Sequence, residues 1–206
     1  MHYRRLGRSG LKVSEISLGS WITFGSQIDE QTASSLIHAA YEQGINFFDN
    51  ADMYANGKAE EVMGRAVRDL QRETLVISSK VFWPTTPGPN GRGLSRKHIL
   101  ESVNASLRRL GMDYIDLYFC HRFDPDTPVE EVVRSMDDLV HMGKILYWGT
   151  SEWEAAQIAQ VCHLAIVVEE TAVPKIYGGI ARPDDVPTRI DTARPTGRPS
   201  GQKPEV

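Results

Sequence analysis

The sequence predicts an α/β protein of (β/α)8 barrel type, carried by about five to six of the eight units. Three observations lead there. Short apolar runs alternate with amphipathic helical patterns five times between residues 16 and 161. Several of the helical patterns open on a capping residue and close on a glycine, as at Gly44, Gly111 and Gly143. Ionisable residues stand at the carboxyl ends of the apolar runs, which is where a barrel of this kind collects its chemistry.

Taken in order, residues 3–14 read as two extended runs around the Gly7-Arg8-Ser9-Gly10 turn, a β-hairpin ahead of the barrel. Residues 16–21 form the first barrel strand, with a glycine at Gly19 that lets a ligand approach the backbone. Asp29 caps a helix whose inner face is Leu36, Ile37, Ala40 and Tyr41, and a second strand runs from Ile45 to Asp49. A helix over residues 58–70 buries Val62, Met63, Ala66, Val67 and Leu70, and the third strand ends at Lys80. Residues 82–93, with three prolines and three glycines, exclude regular structure. Ser95 caps the third helix, with Ile99, Val103, Leu107 and Leu110 inward, and the fourth strand ends at His121.

The Thr127-Pro128-Val129-Glu130 stretch reads as a capping box with proline at the first helical position. Val129, Val132, Val133, Met136, Leu139 and Val140 form that helix's buried face. Residues 145–150 make strand five and residues 152–161 a fifth helix; Ile166-Val167-Val168-Glu169 is the candidate for a sixth strand. Beyond Thr171 the periodicity stops. Six of eleven prolines lie from Pro174 onward with Tyr177 as the one aromatic residue, so residues 171–206 are expected to be a disordered tail and residues 1–170 a partial barrel.

Composition narrows the function classes. A net charge of −4 gives no electrostatic reason for nucleic-acid binding, and neither a membrane span nor a secretory signal is visible, so a cytoplasmic location is expected. Two cysteines, Cys120 and Cys162, offer neither a disulfide framework nor a multi-cysteine metal site, and Cys120 reads as a buried thiol. His38, His98 and His141 fall on helices without partners at metal spacing, so no metal is predicted. Asp116, Asp124 and Asp126 read as turn and surface residues. No GxGxxG follows a strand, which disfavours a Rossmann cofactor mode.

The chemistry-bearing residues are Asp49, Tyr54, Lys80 and His121. A lysine ammonium near a phenol favours the phenolate and so lowers a pKa of about 10, Asp49 keeps the lysine charged, and the imidazole can hydrogen-bond a carbonyl. These four match one by one the Asp-Tyr-Lys-His tetrad of the aldo-keto reductases, which the chain resembles over about residues 3–160. Tyr3-Arg4-Arg5-Leu6-Gly7, Gly19-Ser20-Trp21, Gly93-Leu94-Ser95-Arg96-Lys97-His98-Ile99 and Tyr147-Trp148-Gly149-Thr150-Ser151 are similar to the subgroup of voltage-gated potassium-channel β subunits and related reductases.

The resemblance implies NADPH/NADP as cofactor, a small aldehyde or ketone as substrate, and Tyr54 as general acid. It implies that Gly19, Ser20, Trp21, Gln27, Asp49, Ser151 and Glu152 line the nicotinamide end, although Glu152 stands where the channel subunits carry arginine. For Trp21 and Trp148, core packing competes with that role. Partners implied are a second copy or a channel-like protein, and the alternative function is a redox-sensing regulatory subunit. The family's later strands hold the adenosine phosphate, so the chain as written is expected to bind NADPH weakly and to reduce carbonyls slowly. A product without function, left by a frameshift or exon loss near residue 160, is the third expectation.

Overall fold

The apolar runs become a parallel sheet because each is too short and too apolar to sit anywhere but between layers. The computed structural model describes residues 1–171, with side chains through residue 164. β1 (Tyr3–Arg5) and β2 (Lys12–Ser14) form the antiparallel hairpin, with Arg4 opposite Val13. Ser14 donates its backbone N–H to Asn46 Oδ1 (2.8 Å) and the Tyr3 hydroxyl donates to the Gly44 carbonyl (2.8 Å), which fastens the hairpin beneath the amino end of the second barrel strand.

The parallel sheet has the order β3 (Leu18–Gly19), β4 (Phe47–Asp49), β5 (Val76–Val81), β6 (Ile115–Cys120), β7 (Ile145–Thr150), each strand beside its predecessor. Between them run α1 (Glu30–Glu42), α2 (Lys58–Ala66), α3 (Arg96–Leu110) and α4 (Val129–His141), and α5 (Ala155–Thr171) follows β7. The core lies between sheet and helices: Ile77, Tyr118 and Cys120 from the strands meet Ile37, Met63, Ile99, Val103 and Met136. Cys120 is the buried free thiol that was expected.

Glycine sets the closest approach in that layer. A Cβ on Gly64 would stand 2.3 Å from the Leu110 carbonyl oxygen, so α2 and α3 cross where one side chain is missing. The caps follow the sequence at α1, where Asp29 accepts from Thr32 N–H, and at α3, where Ser95 accepts from His98 N–H and left-handed Gly111 ends the helix.

Four local expectations fail. The first strand is two residues long rather than six, paired with β4 alone among the described strands, and Ile16 and Trp21 at its predicted ends are exposed. On α1 the buried positions are Ala33 and Ile37, while Leu36 is exposed. The capping box before α4 does not form: the Thr127 hydroxyl is engaged with Asp124 Oδ2 (2.8 Å), and Pro128 takes the N-cap position. Residues 166–169 are helical backbone within α5, so among the described residues the parallel sheet has five strands and this segment does not add a sixth. No proline or glycine interrupts residues 155–171, and a β-branched run alone does not stop a helix already under way. The predicted tail, residues 172–206, lies outside the described residues.

Candidate active site

The carboxyl ends of the five parallel strands are stitched into one rim by backbone bonds that continue past the strands. Ser20 N–H bonds Asp49 O (2.9 Å), Asn50 N–H bonds Ser78 O (3.1 Å), Asp52 N–H bonds Lys80 O (3.2 Å), His121 N–H bonds Val81 O (3.0 Å) and Ser151 N–H bonds Cys120 O (3.0 Å). Every tetrad residue stands on this rim.

Lys80 is the centre. Its Nζ donates to Asp49 Oδ2 (2.6 Å), to the Asn50 carbonyl (2.6 Å) and to the Tyr54 hydroxyl (3.3 Å). An ammonium has three donors and no acceptor, so all three are satisfied. Asp49 is fixed from its other oxygen by the Ser78 hydroxyl (2.6 Å). With the Tyr54 oxygen accepting from Lys80, the phenol proton points away from the lysine. His121 meets Tyr54 edge to face, with ring centroids 5.9 Å apart at 77°.

Burial and charge fix the protonation states. Burial pulls the Lys80 pKa below its ordinary value, opposed by the Asp49 charge and hydrogen bond. Burial, with the Lys80 and Arg122 charges, pushes His121 down to about 4, so the imidazole is neutral near pH 7. Burial and then the Asp49 carboxylate push Tyr54 up to about 12. This corrects the expectation of a lowered phenol pKa: the Asp49 carboxylate offsets the charge of the Lys80 ammonium at the phenol, and desolvation dominates. Tyr54 is therefore a fully protonated donor at neutral pH.

The residues expected at the nicotinamide end divide. Gly19 has open space where a Cβ would be, and Ser20 beside it is buried, its hydroxyl without a hydrogen-bond partner. Trp21 is 66% exposed, which excludes core packing for it, and its ring lies 6.4 Å from Tyr54. Trp148 does pack against the core. Ser151 is half-buried on the rim; Gln27 is exposed, its backbone N–H bonded to Thr23 O. Glu152 is engaged with Arg122 (2.9 Å).

Strain marks the same places. The non-glycine residues with left-handed backbone among the described residues are Ile22, Ala55, Asn56 and Glu152. They follow Trp21, Tyr54 and Ser151 directly, and such conformations persist at about 1–3 kcal/mol each only where the surroundings impose them.

Four contributors escaped the sequence reading. Ser78 shares Lys80's face at spacing two and was findable from the strand period. Asn50 acts through its carbonyl, which leaves no signal in residue type. Trp83, from the proline-rich loop, meets His121 edge-on at 6.4 Å, and Arg122 sits over the Trp83 ring at 5.7 Å. Asp116 and Asp124 are not surface residues: Asp116 accepts from Arg72 (2.6 Å) and Ile77 N–H, and Asp124 accepts from Leu94 N–H (2.6 Å) beneath the loop.

The fold and the tetrad define a class, and the sequence profile described as the Aldo/keto reductase family matches residues 15–176. The chain belongs to the aldo/keto reductase family. It is 55% identical over 162 residues to a protein of Arabidopsis thaliana named as a probable voltage-gated potassium channel subunit beta, covering 78% of this chain and 49% of that one. A probable subunit of the same name from Oryza sativa is 54% identical over 167 residues, with 80% and 51% covered. A putative one from Schizosaccharomyces pombe is 50% identical over 167 residues, with 79% and 48% covered. The chain thus spans about half the length of these relatives. Among solved structures, a thermostable aldo-keto reductase in complex with the inhibitor epalrestat superposes with a TM-score of 0.71 at 33% identity, covering 80% of this chain and 59% of that one.

Proposed function

We propose that this chain carries the proton-donating centre of an NADPH-dependent carbonyl reductase. The observation that supports it is the Lys80 ammonium held at once by Asp49, the Asn50 carbonyl and the Tyr54 hydroxyl. When bound, NADPH supplies hydride to the carbonyl carbon. Tyr54 donates its outward proton to the oxygen as negative charge develops there. Lys80 steadies the phenolate left behind, Asp49 keeps Lys80 charged, and neutral His121 orients the carbonyl by donating a hydrogen bond.

The residues fit the nicotinamide end. Gly19 leaves room beside the rim, and the unpartnered Ser20 hydroxyl and the Ser151 side chain are placed on either side of the tetrad. No basic strand-end group for a terminal phosphate stands out among the described residues, where Arg122 is already engaged with Glu152. The test is reduction of an aldehyde at high NADPH concentration, compared with Tyr54→Phe. Slow turnover that the substitution abolishes supports the proposal; turnover retained in Tyr54→Phe removes Tyr54 as the acid.

A second reading is favoured by the names of the relatives that are 50–55% identical: a regulatory subunit of a potassium channel that reports nicotinamide redox state. Pull-down with a channel's cytoplasmic portion, responsive to the NADPH to NADP ratio, supports it; association indifferent to that ratio argues against redox sensing.

A further inference from the structure

Behind the rim, in the layer between sheet and helices, lies a second set of ionisable groups that the proposed reaction does not use. Asp52 is 1% exposed and neither carboxyl oxygen has a formed hydrogen bond; Met53 N–H and the Ser102 hydroxyl lie near it without good geometry. Glu60 of α2 is fully buried, accepting from Ser79 Oγ (2.5 Å) and Arg109 Nε (2.6 Å). Tyr118 of β6 is fully buried, its hydroxyl also unpartnered. Buried polar groups are nearly always paired, so two orphans in one layer require a reason.

Segment 49–52 connects this layer to the site. Asp49 Oδ2 and the Asn50 carbonyl grip Lys80 at its ammonium, and Asp52 N–H grips it at its backbone carbonyl (3.2 Å). Tyr54 N–H closes the same turn on Ala51 O (3.1 Å). The Asp52 amide thus ties segment 49–52 to Lys80, while the Asp52 carboxyl lies in the layer behind the rim.

We propose that Asp52 is a positioning residue for Lys80, acting through segment 49–52, and that it does so as an uncharged acid. An uncharged carboxyl tolerates burial without a hydrogen-bond partner better than a carboxylate does. Burial first and the Glu60 carboxylate second raise its pKa to about 8, with Arg109 of α3 opposing. The groups that face it are Glu60, Arg109, the Tyr118 phenol, and Lys80 and Tyr54 across the sheet. A charge appearing on Asp52 favours the Lys80 ammonium and disfavours a Tyr54 phenolate, so the rim and the layer behind it titrate together.

The inference rests on Lys80 as the charged centre of the proposed site, and its test needs neither cofactor nor carbonyl reduction. In the full chain labelled with 13C at aspartate Cγ and lysine Cε, the Asp52 carboxyl should titrate near pH 8. The Lys80 Cε resonance should show a step at the same midpoint, lost in Asp52→Asn. Glu60→Gln should move both midpoints to lower pH, and this variant decides the matter should Asp52→Asn not fold. An Asp52 carboxyl that titrates below about pH 5, in the ordinary range, or a Lys80 resonance with no step at the Asp52 midpoint, overturns the proposal. A chain that shows the paired midpoints and reduces no aldehyde keeps this inference and loses the reductase reading.

Discussion

β5 and β7 are both six-residue strands of one parallel sheet, and they differ in their neighbours. β5 is buried at every position, with β4 and β6 on its two sides; β7 is buried only at Ile145, with β6 as its one partner among the described strands. The candidate tetrad residues Asp49, Lys80 and His121 stand on or beside the enclosed strands, where low polarity strengthens their interactions. Ser151 and Glu152 stand after the edge strand. One half of the candidate site is set by a packed core, the other by the edge strand of the described sheet.

The sharpest way to break this contrast is to truncate one residue from each half. Lys80→Ala leaves Asp49 and the Asn50 carbonyl without their shared cation, and should lower stability to denaturant by about 3 kcal/mol, below the full penalty for an entirely buried pair because Asp49 is partly exposed. Ser151→Ala should stay within about 0.5 kcal/mol. Equal losses would mean that the two halves are built alike.

His121 has a folded pKa of about 4, below its ordinary 6.5, so the unfolded chain binds the proton more readily. The stability of the neutral imidazole is present above pH 6.5 and is lost as pH falls through about 4, amounting to about 2–4 kcal/mol. Denaturant midpoints measured from pH 7 to pH 4 should fall in the wild type, and part of that fall should be missing in His121→Gln.

A smaller effect probes the helix layer that backs β5. Gly64→Ala places a Cβ against the Leu110 carbonyl, and a loss of about 1–3 kcal/mol is expected from calorimetric or denaturant unfolding, with the edge strand indifferent to it. Hydrogen exchange makes the least invasive comparison: the β5 amides should exchange more slowly than those of β7.

The sequence disclosed the parts of this structure that repeat. The apolar period of α3, the Asp29 and Ser95 caps and the Gly111 stop appear as read, and so does the convergence of Asp49, Tyr54, Lys80 and His121, because each stands at or just after a strand end that the pattern locates. What was not legible depends on tertiary competition. Thr127 looks like a cap until Asp124 takes its hydroxyl, and residues 166–168 look like a strand until α5 carries through them. The Asn50 carbonyl and the left-handed Ala55 and Asn56 leave no mark in residue type. The phenol of Tyr54 illustrates the same limit for electrostatics: Lys80 and Asp49 are both visible beside it, whereas the burial of the phenol and the balance of the two charges are not.

On the proposed mechanism Tyr54, set by Lys80 and Asp49, delivers a proton to a carbonyl oxygen. The most direct measurement supplies the full chain with NADPH deuterated at the transferred position and an aldehyde, and follows deuterium into the alcohol in wild type, Tyr54→Phe and Ser151→Ala. The account predicts deuterium at the former carbonyl carbon in the wild type, a loss of rate of about 10²–10⁴-fold in Tyr54→Phe with unchanged thermal stability, and a weaker effect, on cofactor affinity, in Ser151→Ala. A Tyr54→Phe chain that transfers deuterium as fast as the wild type would contradict it.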